Sequence, residues 1–257
     1  MISLIKSTST PWIVCPKPNP QSLLRLFCFP CAGGLPTAFN SWSNYLPPEV
    51  EICSIQLPGR GKRLNESAFT KLAPLVQTLT PIIRDFDDKP FAFLGHSMGA
   101  VVAFELAREL RRQFSISPVS LFVCSCPAPQ KPIIKPPISQ LPEAAFIAEL
   151  CHRYNAIPES IRQDKEMMQI FSLSLRADFT LLETYAYKHE KPLDCPIFVF
   201  SGSEDSIVSH KDLVEWRTQT SEEFLLQLFP GDHFFLHDMR SLFFQTLWVL
   251  LLETKVI

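Results

Sequence analysis

Five consecutive residues, Gly95-His96-Ser97-Met98-Gly99, constrain this chain more than any other stretch. Before them lies Phe91-Ala92-Phe93-Leu94, an apolar run long enough only for a buried strand. After them the pattern is helical: Val102, Leu106 and Leu110 recur every four residues on one face, with Ala103 and Ala107 beside them. Glu105, Arg108, Glu109, Arg111 and Arg112 take the opposite face, and the terminal arginines suit the negative end of the helix dipole. A strand, a G-x-S-x-G turn and a helix make a nucleophile elbow. Gly95 and Gly99 are steric requirements, because side chains there would collide with the neighbouring strand and helix. The turn lifts Ser97 to the C-terminal edge of a sheet, where a helix N-terminus favours developing negative charge. Taken alone the five-residue pattern is weak, and its meaning depends on an acid and a histidine following in order.

The rest of the chain supplies an α/β rhythm. Leu23 to Phe29 reads as the first central strand and runs into Pro30-Cys31-Ala32-Gly33-Gly34, a loop of small residues that lets the backbone approach something closely. In a chain with an elbow, such a loop supplies one backbone N–H of an oxyanion hole, from Cys31 or Ala32, beside that of Met98. A short amphipathic helix is expected over Ala38 to Leu46, a strand over Glu51 to Gln56 and a helix over Phe69 to Phe86. Ser120 to Ser125 reads as another buried strand. Six prolines between Cys126 and Pro142 then exclude regular helix and central strand. Glu143 to His189 reads as helix throughout, an insertion placed to serve as a lid. Strands at Ile197 to Phe200 and Phe224 to Phe229 resume the alternation, with a helix from about His210 to Arg217 between them and a last, strongly apolar helix over Met239 to Glu253. The expected architecture is one α/β domain over residues 1–257, a mostly parallel sheet with helices on both faces and a helical lid over residues 130–189. Met1 to Ser22 shows no periodicity and is expected on the surface, anchored by Trp12.

A serine hydroxyl is a poor nucleophile until a base takes its proton, and an imidazole base needs a carboxylate to fix its tautomer. In an elbow fold these partners follow in the order serine, acid, histidine. Asp205 follows one late strand and His233 follows the next, both on the side where Ser97 lies. Glu204 points to the opposite face if the loop is extended. Asp232 is too close to His233 to orient its ring and is expected to face solvent or cap the turn. His237 falls at the start of the final helix, past the loop.

At 257 residues, 46% hydrophobic and 19% charged, with a net charge of −2, the composition is that of a globular protein and does not point to nucleic acid or an anionic membrane. The N-terminus lacks the apolar core of a signal peptide, so a cytoplasmic protein is expected, and separately a monomer. Cys28-x-x-Cys31 has no second pair of matching spacing, so the eight cysteines read as small buried hydrophobes, with no metal and no cofactor.

Six segments together carry a family resemblance: LFCFPCAGG, WSNYLPPEVEICSIQLPGRGKR, PFAFLGHSMGAVVAFELARELR, LSLRADFTLLETYAY, LDCPIFVFSGSEDSIV and FPGDHFFL. The chain from about Trp12 onward resembles the stand-alone type II thioesterases associated with non-ribosomal peptide synthetases and polyketide synthases. The resemblance implies an α/β-hydrolase fold, the triad Ser97, Asp205 and His233, and hydrolysis of acyl thioesters on the phosphopantetheine arm of carrier proteins. A carboxylesterase, a lipase or an acyl-CoA thioesterase of the same fold would use the same groups, and a non-catalytic binding member is the remaining reading. Two departures are visible: Cys31 stands where the family often carries an aromatic or histidine, and Ser206 replaces the usual proline after the acid. Since carrier domains are acidic, the basic clusters Arg60-Lys62-Arg63 and Lys131 with Lys135 are expected to be exposed docking groups, the second pair ranking higher.

Overall fold

Leu24 to Phe29 buries every side chain, and so do the strands on either side of it, because both faces of the sheet are covered. The computed structural model describes residues 10–131, 136–154, 157, 159–237, 240–254 and 256. Seven strands pair among them: β1 (Ile13–Val14), β2 (Leu24–Phe29), β3 (Val50–Ile55), β4 (Phe91–His96), β5 (Leu121–Cys124), β6 (Ile197–Gly202) and β7 (Phe224–Phe229). Their order is β1-β3-β2-β4-β5-β6-β7, parallel except for β1, which runs antiparallel to β3. Alternation along each strand divides the core in two. Phe27, Phe29, Phe93, Val123 and Val199 face helices α1 (Leu72–Arg84) and α2 (Met98–Phe114), whereas Leu26, Cys28, Leu94, Phe122 and Phe200 face the other way.

Among the described residues, three helices lie between β5 and β6: α3 (Glu143–Tyr154), α4 (Glu159–Gln163) and α5 (Lys165–Glu183). They have a core of their own, built on Ile138, Phe146, Leu150, Met168, Leu175 and Phe179. The expected single helical run is thus divided. Asp164 begins α5 by accepting the N–H groups of Glu166 and Met167, and the chain from Tyr185 to Pro192 has no regular secondary structure. That segment is strapped to α2. Arg108 donates to the Lys188 carbonyl at 2.6 Å, and Arg111 to those of Lys191 and Pro192. A short helix α6 (His210–Val214) follows β6, and α7 (Arg240–Glu253) covers the second face with Phe243, Phe244, Leu247 and Leu251. No helix of the described residues is long and apolar enough to cross a membrane.

Other boundaries also move. The lead-in is not wholly irregular: Ile13 and Val14 pair with Ile55 and Ser54, and Gln56 donates to the Trp12 carbonyl at 2.8 Å. Trp12 is anchored, with the Arg63 guanidinium 3.7 Å from its ring centroid. Ala38 to Leu46 forms two 3-10 turns, Pro36–Phe39 and Trp42–Asn44, rather than one helix. Packing of Phe39 and Trp42 against α7 fixes them without helical continuity.

Candidate active site

The elbow sits where β4 meets α2. Ser97 has φ 52° and ψ −116°, a conformation that a non-glycine residue holds only when its surroundings impose it. Those surroundings are close backbone. A Cβ on Gly95 would lie 2.3 Å from the Ala100 Cα, and one on Gly99 would lie 2.1 Å from the Phe29 carbonyl oxygen. The Ser97 N–H donates to the Cys124 carbonyl at 2.8 Å, which ties the turn to β5.

Asp205 follows β6 and its side chain is 1% exposed. Oδ1 accepts the N–H groups of Ile207 at 2.8 Å and Val208 at 3.1 Å; Oδ2 accepts Ser201 Oγ at 3.1 Å and lies 2.9 Å from His233 Nδ1. Burial alone would raise this carboxyl, but His233 and the two backbone donors outweigh it and hold it below the ordinary value. With Nδ1–H given to Asp205, the other ring nitrogen, Nε2, is the basic one. His96 Nε2 stands 2.9 Å from the His233 carbonyl and donates to it, fixing the turn that carries the histidine. Asp232 caps this turn through the Phe234 N–H at 2.7 Å, and Glu204 is exposed. The His237 side chain lies outside the described residues.

Ser97 and His233 line one cavity of about 60 Å³. Cys31 and Ala32 border it, and its apolar wall comes largely from the helical insertion, with Leu150, Tyr154, Phe171 and Leu175 among the contributors. The Cys31 thiol, pushed up to about 11 by burial and then by the Asp178 carboxylate, is neutral at ordinary pH. Burial likewise raises Tyr154 to about 12, and its ring meets His233 edge-on at 6.1 Å.

The expected docking groups fare differently. Arg60 and Arg63 are corrected: they are buried, 4% and 6% exposed, because each has acquired partners. Arg60 places Nη1 and Nη2 on the two carboxylate oxygens of Asp178, both at 2.6 Å. Arg63 donates to Glu66 and to the Gln56 carbonyl. Lys62 alone of that cluster is exposed. Lys131 pairs with Glu215 at 3.3 Å, and Lys135 lies outside the described residues. Asp178 was not singled out from the sequence, although it stands in LRAD and Arg60 in LPGR; nothing in their spacing links residues so far apart.

The parallel sheet, the elbow and the strand order define an α/β-hydrolase fold. Residues 24–246 match the family model described as thioesterase domain. Over 229 residues the chain is 46% identical to the gramicidin S biosynthesis protein GrsT of Aneurinibacillus migulanus, covering 89% of each. It is 35% identical over 230 residues to the thioesterase PikA5 of Streptomyces venezuelae, covering 88% of this chain and 80% of that one. Among solved structures, the type II thioesterase BorB from the borrelidin biosynthetic cluster superposes with a TM-score of 0.80 at 31% identity, covering 92% of this chain and 94% of BorB. The chain belongs to the thioesterase domain family and is a hydrolase acting on thioester bonds.

Proposed function

We propose that the chain is a type II thioesterase that clears acyl groups from the phosphopantetheine arm of carrier proteins in non-ribosomal peptide or polyketide synthesis. The observation that carries the reading is the Asp205–His233 pair at 2.9 Å, with His233 and Ser97 in one apolar cavity. His233 Nε2 takes the proton of Ser97 Oγ as that oxygen attacks the thioester carbonyl. Asp205 stabilises the imidazolium. The N–H of Met98, at the head of α2, and that of Cys31 or Ala32 receive the oxyanion. Collapse expels the thiol, which leaves with the proton from His233, and water then releases the acid by the same route. A thiol of pKa about 8.5 is a far better leaving group than an alkoxide, so the site favours thioesters over oxygen esters.

Reading the helical insertion over residues 130–189 as a lid is supported by the cavity-lining side chains of α3 and α5. The carrier approaches from its side, with Lys131 and Lys135 as candidate contacts. The test is turnover of acyl-carrier thioesters beside the matching acyl-CoA and ethyl esters. Carrier substrates should give the highest kcat/KM. Equal turnover of ethyl esters would make the protein a general esterase, and equal turnover of acyl-CoA would remove the carrier from the reading.

A further inference from the structure

The carboxylate of Asp178 joins three segments that are distant in the chain. It projects from the lid helix α5 and is 2% exposed. Oδ2 accepts the Gly33 N–H at 2.7 Å as well as Arg60 Nη1, while Oδ1 takes Arg60 Nη2. Arg60 in turn belongs to the loop that leaves β3, part of the sheet body, where the Gly59 N–H donates to the Arg63 carbonyl at 2.9 Å.

Gly33 closes the loop in which Cys31 and Ala32 lie. Its φ is +70°, and a Cβ there would stand 2.8 Å from Leu175 Cδ2 and 3.1 Å from Phe171 Cζ, both on α5 and both lining the cavity. The Gly34 N–H goes to the Cys31 carbonyl at 2.9 Å. So the amides of Gly33 and Gly34 are spent on holding the loop, and one of those two restraints is supplied by the lid.

We propose that Asp178 and Arg60 are positioning residues that make the oxyanion loop dependent on the seated lid. With α5 in place, its carboxylate restrains Gly33 and thereby aims the amides of Cys31 and Ala32. When α5 lifts, the carboxylate leaves with it, Gly33 loses its acceptor, and the loop is free to turn. Arg60 sets the height at which α5 comes to rest, because its planar fork meets both carboxylate oxygens at once. Bond cleavage is thereby confined to the closed state, in which the acyl group is already enclosed. This rests on reading residues 31 and 32 as the source of an oxyanion donor.

The test uses the full chain and the acetyl thioester of N-acetylcysteamine, a small substrate that needs no docking surface. Loss of a direct oxyanion donor costs about 100- to 1,000-fold in kcat, so disturbing the loop that aims one should cost about 10- to 100-fold. Asp178→Asn is expected to lower kcat by that amount while KM stays within about twofold. The paired variant Arg60→Met with Asp178→Leu separates positioning from folding, since apolar residues of similar size can replace a buried ion pair without loss of stability. Its thermal midpoint should return to near that of the wild type while kcat remains low, because Gly33 still lacks an acceptor. Recovery of kcat along with stability would overturn the proposal, as would an Asp178→Asn loss confined to KM. If the paired variant does not fold, the kcat and KM of Asp178→Asn, with its melting curve, decide the matter alone. Ser97→Ala keeps the two readings apart: an active Ser97→Ala protein removes the active site itself, whereas an inert one leaves the Asp178 variants to report on the coupling.

Discussion

Asp205 faces His233 across 2.9 Å with both of its oxygens already engaged by other donors. The carboxylate is therefore fixed before the imidazole meets it, and the ring's orientation follows from the loop after β6. Asp205→Asn keeps the shape but cannot accept Nδ1–H in the same way, so kcat should fall by about 10³- to 10⁴-fold. Glu204→Gln, on the exposed side of the same turn, should stay within about twofold of wild type, as surface substitutions do. Steady-state turnover of an acyl thioester measures both, and a reversal of the two results would move the acid to Glu204.

The same carboxylate shapes the acid limb of the stability curve. Its pKa is lower in the folded chain than in the unfolded one. The stability it contributes is thus present above the unfolded value of about 3.9 and is lost as pH falls through the folded value below it. Urea melts from about pH 5 down to about pH 2 should show a steeper loss in the wild type than in Asp205→Asn. Parallel curves would mean that the pairing does not depress the carboxyl.

Cys31 borders the cavity yet should resist thiol reagents. With its thiol raised to about 11, almost none is thiolate at pH 7.5. Peptide mapping after treatment with iodoacetamide should find Cys31 largely unmodified at that pH, with the rate rising about tenfold per pH unit up to the folded value. Rapid alkylation near neutrality would place the thiol in a more polar setting than the structure shows.

The cavity beside Ser97, about 60 Å³, is walled largely by the helical insertion. Leu150 is 3% exposed and lines its wall. Leu150→Ala should enlarge the chamber and cost about 2–5 kcal/mol of stability, as buried leucine truncations do. The chain length giving the highest kcat/KM in a series of straight-chain acyl thioesters should shift upward. An unchanged profile would mean that chain length is read elsewhere.

Much of the fold was legible because its signals are local. A strand buried on both faces reads as an unbroken apolar run, as in Phe91 to Leu94, and the elbow lies within a few residues of it. Strand β1 was not legible, since two residues are too few to show a period, and Ile13 is held by backbone pairing with β3. The basic residues misled for a related reason. A row of Arg60, Lys62 and Arg63 looks like a solvated patch until the partner of each is known, and the partner of Arg60 is a carboxylate on α5. Arg108 is similar: its helical spacing puts it on the polar face of α2, yet it is 2% exposed because the segment after α5 closes over it. At the site, the order of Ser97, Asp205 and His233 could be read along the chain. The part played by His96, whose ring holds the His233 backbone, could not, because that contact exists only once β4 and the loop after β7 are adjacent.

The tight fit of Gly99 against the Phe29 carbonyl also bears on how the protein matures. The conformation of Ser97 is held by close backbone on several sides: Ala100 beside Gly95, the Phe29 carbonyl of β2 beside Gly99, and the Cys124 carbonyl of β5 on the Ser97 N–H. A chain whose β2 has not yet docked carries a serine no more reactive than any surface hydroxyl, and one still lacking the loop after β7 has no base to activate it. Hydrolytic competence therefore needs β2 and the loop after β7 in place together, so a nascent or misfolded copy should be silent toward the thioesters around it.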